Sequence, residues 1–153
     1  LYELLENCVG LIFRQPMYAD FEHTLHTWAK DGQPMSAQTI TDLYYQKNVD
    51  YYGPDVIMDE YVGHSCFYIP HFYYNYYVYK YTLGMTVALA IVSRILDGDE
   101  KQKEAYLNFL KSGGSQDPVD LLKAALVNPL EDQLYDDAFH YFEKILNEFE
   151  ELI

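Results

Sequence analysis

The chain has 153 residues, half of them hydrophobic, which is enough for a folded domain with a hydrophobic core. Its formal net charge of −14 repels phosphate backbones and anionic lipid headgroups, so the charge argues against nucleic acid and membranes as partners. Two cysteines do not form a disulfide framework, and the N-terminal residues have no basic region typical of a signal peptide. These features favour a cytoplasmic protein with reduced, buried thiols.

The hydrophobic pattern predicts helices along the first half of the chain. A helical pattern runs from Leu1 to about Trp28, and Pro16 predicts a kink near Arg14 because proline lacks a backbone donor. Ser36 is a suitable N-cap for a helix over residues 37–52. Residues 55–70 have no clear period and are expected to form a loop or an extended segment, with at most a short strand or one turn of helix.

The second half begins with a predicted central helix over residues 71–96, whose first part is nearly all aromatic. A helix that is apolar on every side is expected to be buried on every side. Three further helices are predicted. The first covers residues 100–111, the second begins at Pro118 with Asp117 as its N-cap, and the third covers residues 131–152. The pattern therefore indicates an all-α fold with a single helical domain over residues 1–153. Because the chain starts at Leu1 within a helical pattern, we expect it to be a fragment of a longer protein.

His71, Tyr76 and Tyr79 form the strongest candidate site. On the predicted helix, Tyr76 and Tyr79 share a face because they are three residues apart, and His71 lies near the helix start. One imidazole and two phenols can donate hydrogen bonds to a carbonyl oxygen that becomes an oxyanion. The alternative is a buried aromatic helix whose hydroxyls bond to their neighbours.

Two other clusters contain residue types that bind ligands. Glu22, His23 and His26 are of metal-ligand type, but the histidines are three apart and the order differs from a zincin helix, so a solvated helix face is the simpler interpretation. The glycine-containing loop at residues 112–115 precedes a helix start where an anion can bind, but it lacks the Lys-Ser/Thr ending of a phosphate-binding loop.

Three segments together resemble the C-terminal region of the oligoendopeptidase F family of thimet-type metallopeptidases. They are residues 13–22 (FRQPMYADFE), residues 69–84 (IPHFY followed by YVYKY and Gly84), and residues 106–123, which include FLKSGGS. The segments occur in the family's order with compatible spacing.

The resemblance implies an all-helical, zincin-like oligopeptidase with a substrate channel, of which this chain forms one wall and is incomplete. In that family a zinc ion held by a His-Glu-x-x-His helix and a later Glu activates water to hydrolyse short peptides. No such motif occurs in this sequence, so the resemblance places the zinc ligands upstream of Leu1 and assigns no metal ligand here. It implies that His71, Tyr76 and Tyr79 bind substrate and stabilise the tetrahedral intermediate, with Tyr79 as the oxyanion donor.

The family reading therefore predicts a segment of a cytoplasmic zinc metalloendopeptidase that supplies substrate contacts and is inactive alone. Its expected partners are short peptides and the missing N-terminal part of the enzyme, or a second copy bound through the exposed face. The alternative is a non-catalytic helical module that descends from the same fold and binds a peptide or a partner helix. Departures from the family pattern near Cys66, Tyr68 and Thr82 leave the fine substrate preference open.

Overall fold

The computed structural model describes residues 1–153 and is built from helices connected by short loops, with no β-strand. This confirms the all-α prediction. The α-helices are α1 (Tyr2–Cys8), α2 (Gln15–Lys30), α3 (Ala37–Tyr52), α4 (Tyr79–Leu96), α5 (Glu100–Ser112), α6 (Pro118–Ala124) and α7 (Asp132–Glu150). A π-helix covers Val9–Arg14, and 3-10 helices cover Glu60–Tyr68 and Pro70–Tyr74.

The chain divides into two compact units. One unit comprises residues 9–82, and the other comprises residues 1–8 and 83–153. The first unit contains every residue of the candidate site and is called the site unit below. The second is called the α5–α7 unit.

The local signals at the helix ends of the site unit act as predicted. The backbone departs from α-helical geometry in the π-helix Val9–Arg14, directly before the proline that predicts a kink. Ser36 caps α3 in a reciprocal pair with Thr39, in which each side chain accepts a hydrogen bond from the other residue's backbone N–H. Gly53 ends α3 with φ of 75°, a conformation that glycine adopts at little cost.

The predicted central helix over residues 71–96 is wrong in its first part. His71 lies in the 3-10 helix Pro70–Tyr74, and α4 begins only at Tyr79. Between them the backbone enters the left-handed region at Asn75 (φ 46°) and Tyr76 (φ 55°), which ends helical hydrogen bonding. Tyr73 and Tyr74 are 74% and 66% exposed, so the expectation of burial on every side is also wrong. Phenol hydroxyls remain solvated at an exposed position, which the apolar pattern does not reveal.

Residues 60–68 form a 3-10 helix rather than the predicted loop. Asp59 begins it by accepting the Tyr61 backbone N–H at 2.7 Å. Gly63 on this helix is buried against α3, and a Cβ at that position would lie 2.6 Å from the carbonyl oxygen of Thr41. The close approach of the two backbones therefore requires glycine here.

An aromatic core joins α2, α3 and the two 3-10 helices of the site unit. The Phe21 ring lies edge-on to Tyr44 at 5.0 Å and contacts Phe72 at 5.1 Å between centroids. Tyr18 meets Phe72 edge-on at 5.7 Å. Burial, followed by a hydrogen bond with Tyr18, raises the pKa of Tyr44 well above its usual value. Because Phe72 belongs to the 3-10 helix that carries His71, this core fixes the position of that helix.

Arg94 connects three elements of the α5–α7 unit. Its guanidinium donates to Asp137 on α7, to the Gln102 side chain on α5 at 3.0 Å, and to the Leu126 carbonyl at 2.8 Å. Gln102 is almost fully buried and donates in turn to the Ala125 carbonyl at 2.8 Å. The arginine that interrupts the apolar sequence of α4 thus binds the surrounding helices through one planar group.

The remaining helix predictions in this unit are confirmed. Asp117 caps α6 by accepting the Val119 N–H at 3.1 Å, and Asp99 caps α5 by accepting the Gln102 N–H at 3.0 Å. Cys8 and Cys66 are free and buried, as expected, and burial raises the pKa of both thiols. The helices include none whose length and apolar character suffice to cross a membrane.

Candidate functional site

The three predicted site residues lie on three consecutive pieces of the site unit. His71 is the second residue of the 3-10 helix Pro70–Tyr74, Tyr76 lies in the left-handed connection, and Tyr79 is the first residue of α4. Tyr76 and Tyr79 therefore do not share a helix face, and that part of the prediction is wrong. The break at Asn75 and Tyr76 removes the helical spacing on which it depended.

His71 is surrounded by two tyrosines that the sequence argument did not assign to the site. The Tyr77 ring stacks on the imidazole at 5.8 Å and 18°, and the Tyr81 ring meets it edge-on at 5.5 Å. The Tyr81 hydroxyl lies 3.3 Å from Nε2 of His71. The two tyrosines are four residues apart and contact each other at 5.5 Å, a spacing that was available as a signal.

The electrostatic setting keeps the Tyr81 phenol neutral. A hydrogen bond with the Tyr77 side chain, followed by burial, raises the pKa of Tyr81. The Tyr81 hydroxyl and Nε2 of His71 lie within hydrogen-bond distance, and which of the two donates depends on the tautomer of His71.

Tyr76 is held by two residues of α2. Its backbone N–H donates to Oε1 of Glu22 at 2.6 Å, and its ring stacks on His26 at 4.6 Å and 27°. Glu22 is 3% exposed, and its second oxygen, Oε2, is buried without a hydrogen-bond partner. A left-handed backbone costs a non-glycine residue about 1 kcal/mol or more, and these contacts offset that cost.

Tyr79 presents its side chain at the surface of the site unit. It is 51% exposed, whereas Val78 beside it is fully buried. Lys80 lies next in the chain, with its ammonium 5.0 Å from the centre of the Tyr77 ring. An accessible phenol at the start of α4 is able to donate a hydrogen bond to a bound molecule.

The residues with metal-ligand character do not fit a zinc site. Nε2 of His26 lies 3.8 Å from Oε1 of Glu22, an ion pair only when the imidazole is protonated. Across residues 1–153 no three His, Cys, Asp or Glu side chains form a group that could hold a metal ion. Tetrahedral zinc sites need three or four such ligands, so these residues do not provide a ligand set for the zinc ion that the resemblance implies.

The exposed aromatic residues of the site unit extend well beyond the three predicted residues. They include Tyr61, Phe67, Tyr68, Tyr73, Tyr74, Tyr76, Tyr77 and Tyr79. Aromatic side chains combine apolar surface with hydroxyl groups and are frequent in surfaces that bind peptides. Exposed side chains of this kind suit a ligand with both carbonyl groups and apolar side chains.

Residues 1–141 match peptidase family M3, and the chain belongs to this family. Over all 153 residues it is 42% identical to oligopeptidase PepF of Bacillus subtilis, and 38% identical to group B oligopeptidase PepB of Streptococcus agalactiae.

Solved structures agree with the sequence relatives. The crystal structure of oligoendopeptidase F from Enterococcus faecium superposes with a TM-score of 0.93 at 40% identity, covering 99% of this chain and 29% of that one. A putative peptidase from Chlamydophila abortus gives a TM-score of 0.89 at 35% identity, covering 97% of this chain and 25% of that one. The chain spans 23% of the Bacillus relative and 26% of the Streptococcus relative, about a quarter of each.

Proposed function

We propose that this chain is a segment of a zinc metalloendopeptidase that hydrolyses short peptides by metal-activated water. The observation that carries the proposal is the match of residues 1–141 to peptidase family M3, together with relatives that are named oligopeptidases. The zinc ligands are contributed by residues outside this chain, because its own side chains do not fit a metal site. The segment forms one wall of the substrate channel.

The segment is proposed to be the C-terminal part of the enzyme. The support is the order of its three family-like segments over residues 13–22, 69–84 and 106–123, none of which contains a His-Glu-x-x-His motif. The coding region around the chain tests this position. A motif encoded in frame before Leu1 agrees with the proposal, whereas a motif encoded after Ile153 would place the chain at the other end of the enzyme.

Within the site unit, His71, Tyr76 and Tyr79 are proposed to bind the peptide, and Tyr79 and His71 are proposed to stabilise the tetrahedral intermediate. Tyr79 is the preferred oxyanion donor because its phenol is accessible at the start of α4. A neutral phenol and an imidazole N–H donate to an oxyanion more strongly than to the carbonyl from which it forms. That difference lowers the barrier to hydrolysis.

Peptide hydrolysis by the whole protein is the experiment that tests the function. We expect cleavage of short peptides, loss of cleavage after zinc chelation and recovery when zinc returns. Residues 1–153 alone are expected to be inactive. Cleavage by the isolated chain, or cleavage by the whole protein that survives complete removal of metal, would contradict the proposal.

A second candidate function is peptide binding without catalysis, by a helical module that descends from the same fold. The exposed aromatic side chains of the site unit favour it, since such side chains bind peptides whether or not a metal is present. The two candidates separate in one assay of the whole protein with zinc added. Binding of a short peptide without any cleavage would make the binding module the better account.

Exposed aromatic surface also suggests how the isolated chain behaves. We propose that it self-associates or is marginally stable unless the rest of the enzyme covers this face. Sedimentation of residues 1–153 tests this, and a stable monomer at high concentration would contradict it. Thermal unfolding in the same sample tests the single-domain prediction, for which one cooperative transition is expected.

The proposed location of the enzyme is the cytoplasm. Free, buried Cys8 and Cys66 fit a reducing compartment, and the net charge of −14 suits a protein that does not bind membranes or nucleic acid. Cell fractionation followed by detection of the whole protein tests this proposal. Recovery with the secreted or membrane fraction would contradict it.

A further inference from the structure

Glu22 is a buried acidic residue that the proposed chemistry does not use. It is 3% exposed, and its Oε1 accepts the backbone N–H of Tyr76, a residue 54 positions further along the chain, at 2.6 Å. Burying a carboxylate is unfavourable unless donors replace its hydration. A bond from a backbone N–H to a carboxylate is short and strong, so this contact is a specific link between α2 and the segment that carries the proposed site.

The link acts where the backbone is least regular. Asn75 and Tyr76 have φ of 46° and 55°, and this turn separates the 3-10 helix that carries His71 from α4, which begins at Tyr79. A change of backbone conformation at Tyr76 would redirect both flanking helical segments. The residue that holds the Tyr76 N–H therefore influences where the site's hydroxyl and imidazole groups lie.

The same face of α2 also holds the Tyr76 side chain. His26 follows Glu22 by one helical turn, and its ring stacks on the Tyr76 ring at 4.6 Å. One helix thus fixes both the backbone and the ring of Tyr76. His23, on the same helix, approaches the Tyr76 ring at 6.3 Å and completes the contact.

We infer that Glu22 is a positioning residue for the peptide-binding segment, holding Tyr76 in its left-handed conformation with the help of His26. This inference rests on the proposed function for its effect on peptides, but the effect on Tyr76 itself is independent of that function. Glu22 touches no substrate in this role, and it acts through the segment from His71 to Tyr79.

The first test is amide hydrogen exchange at Tyr76, measured on the whole protein by mass spectrometry with fragmentation to single-residue resolution. In the native protein the Tyr76 amide is expected to exchange slowly, because the buried side chain of Glu22 accepts its hydrogen bond. Glu22→Ala is expected to speed its exchange at least about tenfold, whereas Glu22→Gln retains an acceptor oxygen and speeds it less. Asn48→Ala is the matched control, since Asn48 is also buried (5% exposed) but bonds only to Tyr44 of its own helix. Unchanged Tyr76 exchange in Glu22→Ala would overturn the inference.

The second test is peptide hydrolysis by the whole protein carrying the same substitutions. Glu22→Ala is expected to raise KM about fivefold or more, Glu22→Gln less, and Asn48→Ala hardly at all. Equal effects of Glu22→Ala and Asn48→Ala on KM would reduce Glu22 to a general structural role and contradict the inference. If neither the native protein nor any variant cleaves peptides, the proposed function fails. The hydrogen-exchange result then still decides whether Glu22 positions Tyr76. If Glu22→Ala does not fold, Glu22→Gln decides both tests.

Discussion

The Tyr81 hydroxyl lies 3.3 Å from Nε2 of His71, and the Tyr77 ring stacks on the same imidazole at 5.8 Å between ring centroids. The histidine proposed to bind substrate is therefore held by two phenols that do not themselves belong to the predicted set. Its orientation depends on the start of α4 as well as on the 3-10 helix that carries it.

Removing the Tyr81 hydroxyl tests this relationship. Tyr81→Phe keeps the ring contact with His71 but removes the hydroxyl that lies beside Nε2 of His71. We therefore expect kcat/KM for peptide cleavage by the whole protein to fall. A net hydrogen bond contributes about 0.5–1.5 kcal/mol, which corresponds to a loss of roughly two- to tenfold. Tyr74→Phe is the control, because Tyr74 is 66% exposed and contacts Tyr77 rather than His71. Equal kcat/KM in the two variants would contradict a role for the Tyr81 hydroxyl.

The close approach at Gly63 predicts a loss of stability on adding a single methyl group. In Gly63→Ala the new Cβ would lie 2.6 Å from the Thr41 carbonyl oxygen, so the 3-10 helix and α3 must move apart. We expect a decrease of about 1–3 kcal/mol in the free energy of unfolding, measured by urea denaturation of residues 1–153. Gly114→Ala, where a Cβ meets nothing within 4 Å, should change it little. A Gly63→Ala chain as stable as the native one would show that the two backbones separate freely.

Arg94 predicts a second stability effect, in the α5–α7 unit. Arg94→Lys keeps the positive charge but cannot reach Asp137, Gln102 and the Leu126 carbonyl together. Partly buried acceptors then lose their donors, and we expect the free energy of unfolding to decrease by about 1–3 kcal/mol. Lys103→Arg is the control, because Lys103 pairs only with exposed Glu100 one turn away. Arg94→Lys with native stability would mean that charge alone, rather than the planar guanidinium, holds these helices.

Burial of Tyr44 predicts how stability depends on alkaline pH. Because the pKa of Tyr44 is raised in the folded chain, its contribution to stability is complete below the unfolded value of 10.0 and is lost as the pH rises above that value. Tyr44→Phe cannot ionise, so its stability should fall less between pH 10 and pH 12. At neutral pH the variant loses about 1 kcal/mol with the hydroxyl's hydrogen bonds. The difference between native and variant unfolding free energies should therefore shrink with pH, and a constant difference would argue against the raised pKa.

Local signals were sufficient to predict most of the fold. The Ser36 cap, the Asp117 cap before Pro118 and the glycine at residue 53 each act through neighbours within a few residues, so the sequence pattern carries them directly. Amphipathic spacing likewise predicted α5 and α7 to within one or two residues. The family-like segments at residues 13–22 and 69–84 located the unit that carries the candidate site.

The sequence pattern failed where a distant contact decides the conformation. A run of aromatic residues after His71 is compatible with a helix, and nothing nearby indicates that Glu22 on α2 will bind the Tyr76 amide instead. Asn75 was a usable signal, because asparagine adopts the left-handed region more readily than most residues. The sequence contained no such signal at Tyr76, since a tyrosine at positive φ is stabilised only by its tertiary contacts.

The exposed phenol of Tyr79 allows the most direct test of the central proposal. Peptide hydrolysis by the whole protein should be compared for the native form, Tyr79→Phe and the control Tyr61→Phe, a surface tyrosine on a different 3-10 helix. If Tyr79 stabilises the oxyanion, Tyr79→Phe lowers kcat by about tenfold to a thousandfold with little change in KM, and Tyr61→Phe retains native kinetics. Native kcat in Tyr79→Phe, in a protein that still cleaves peptides, would contradict the assignment of the oxyanion donor to this chain.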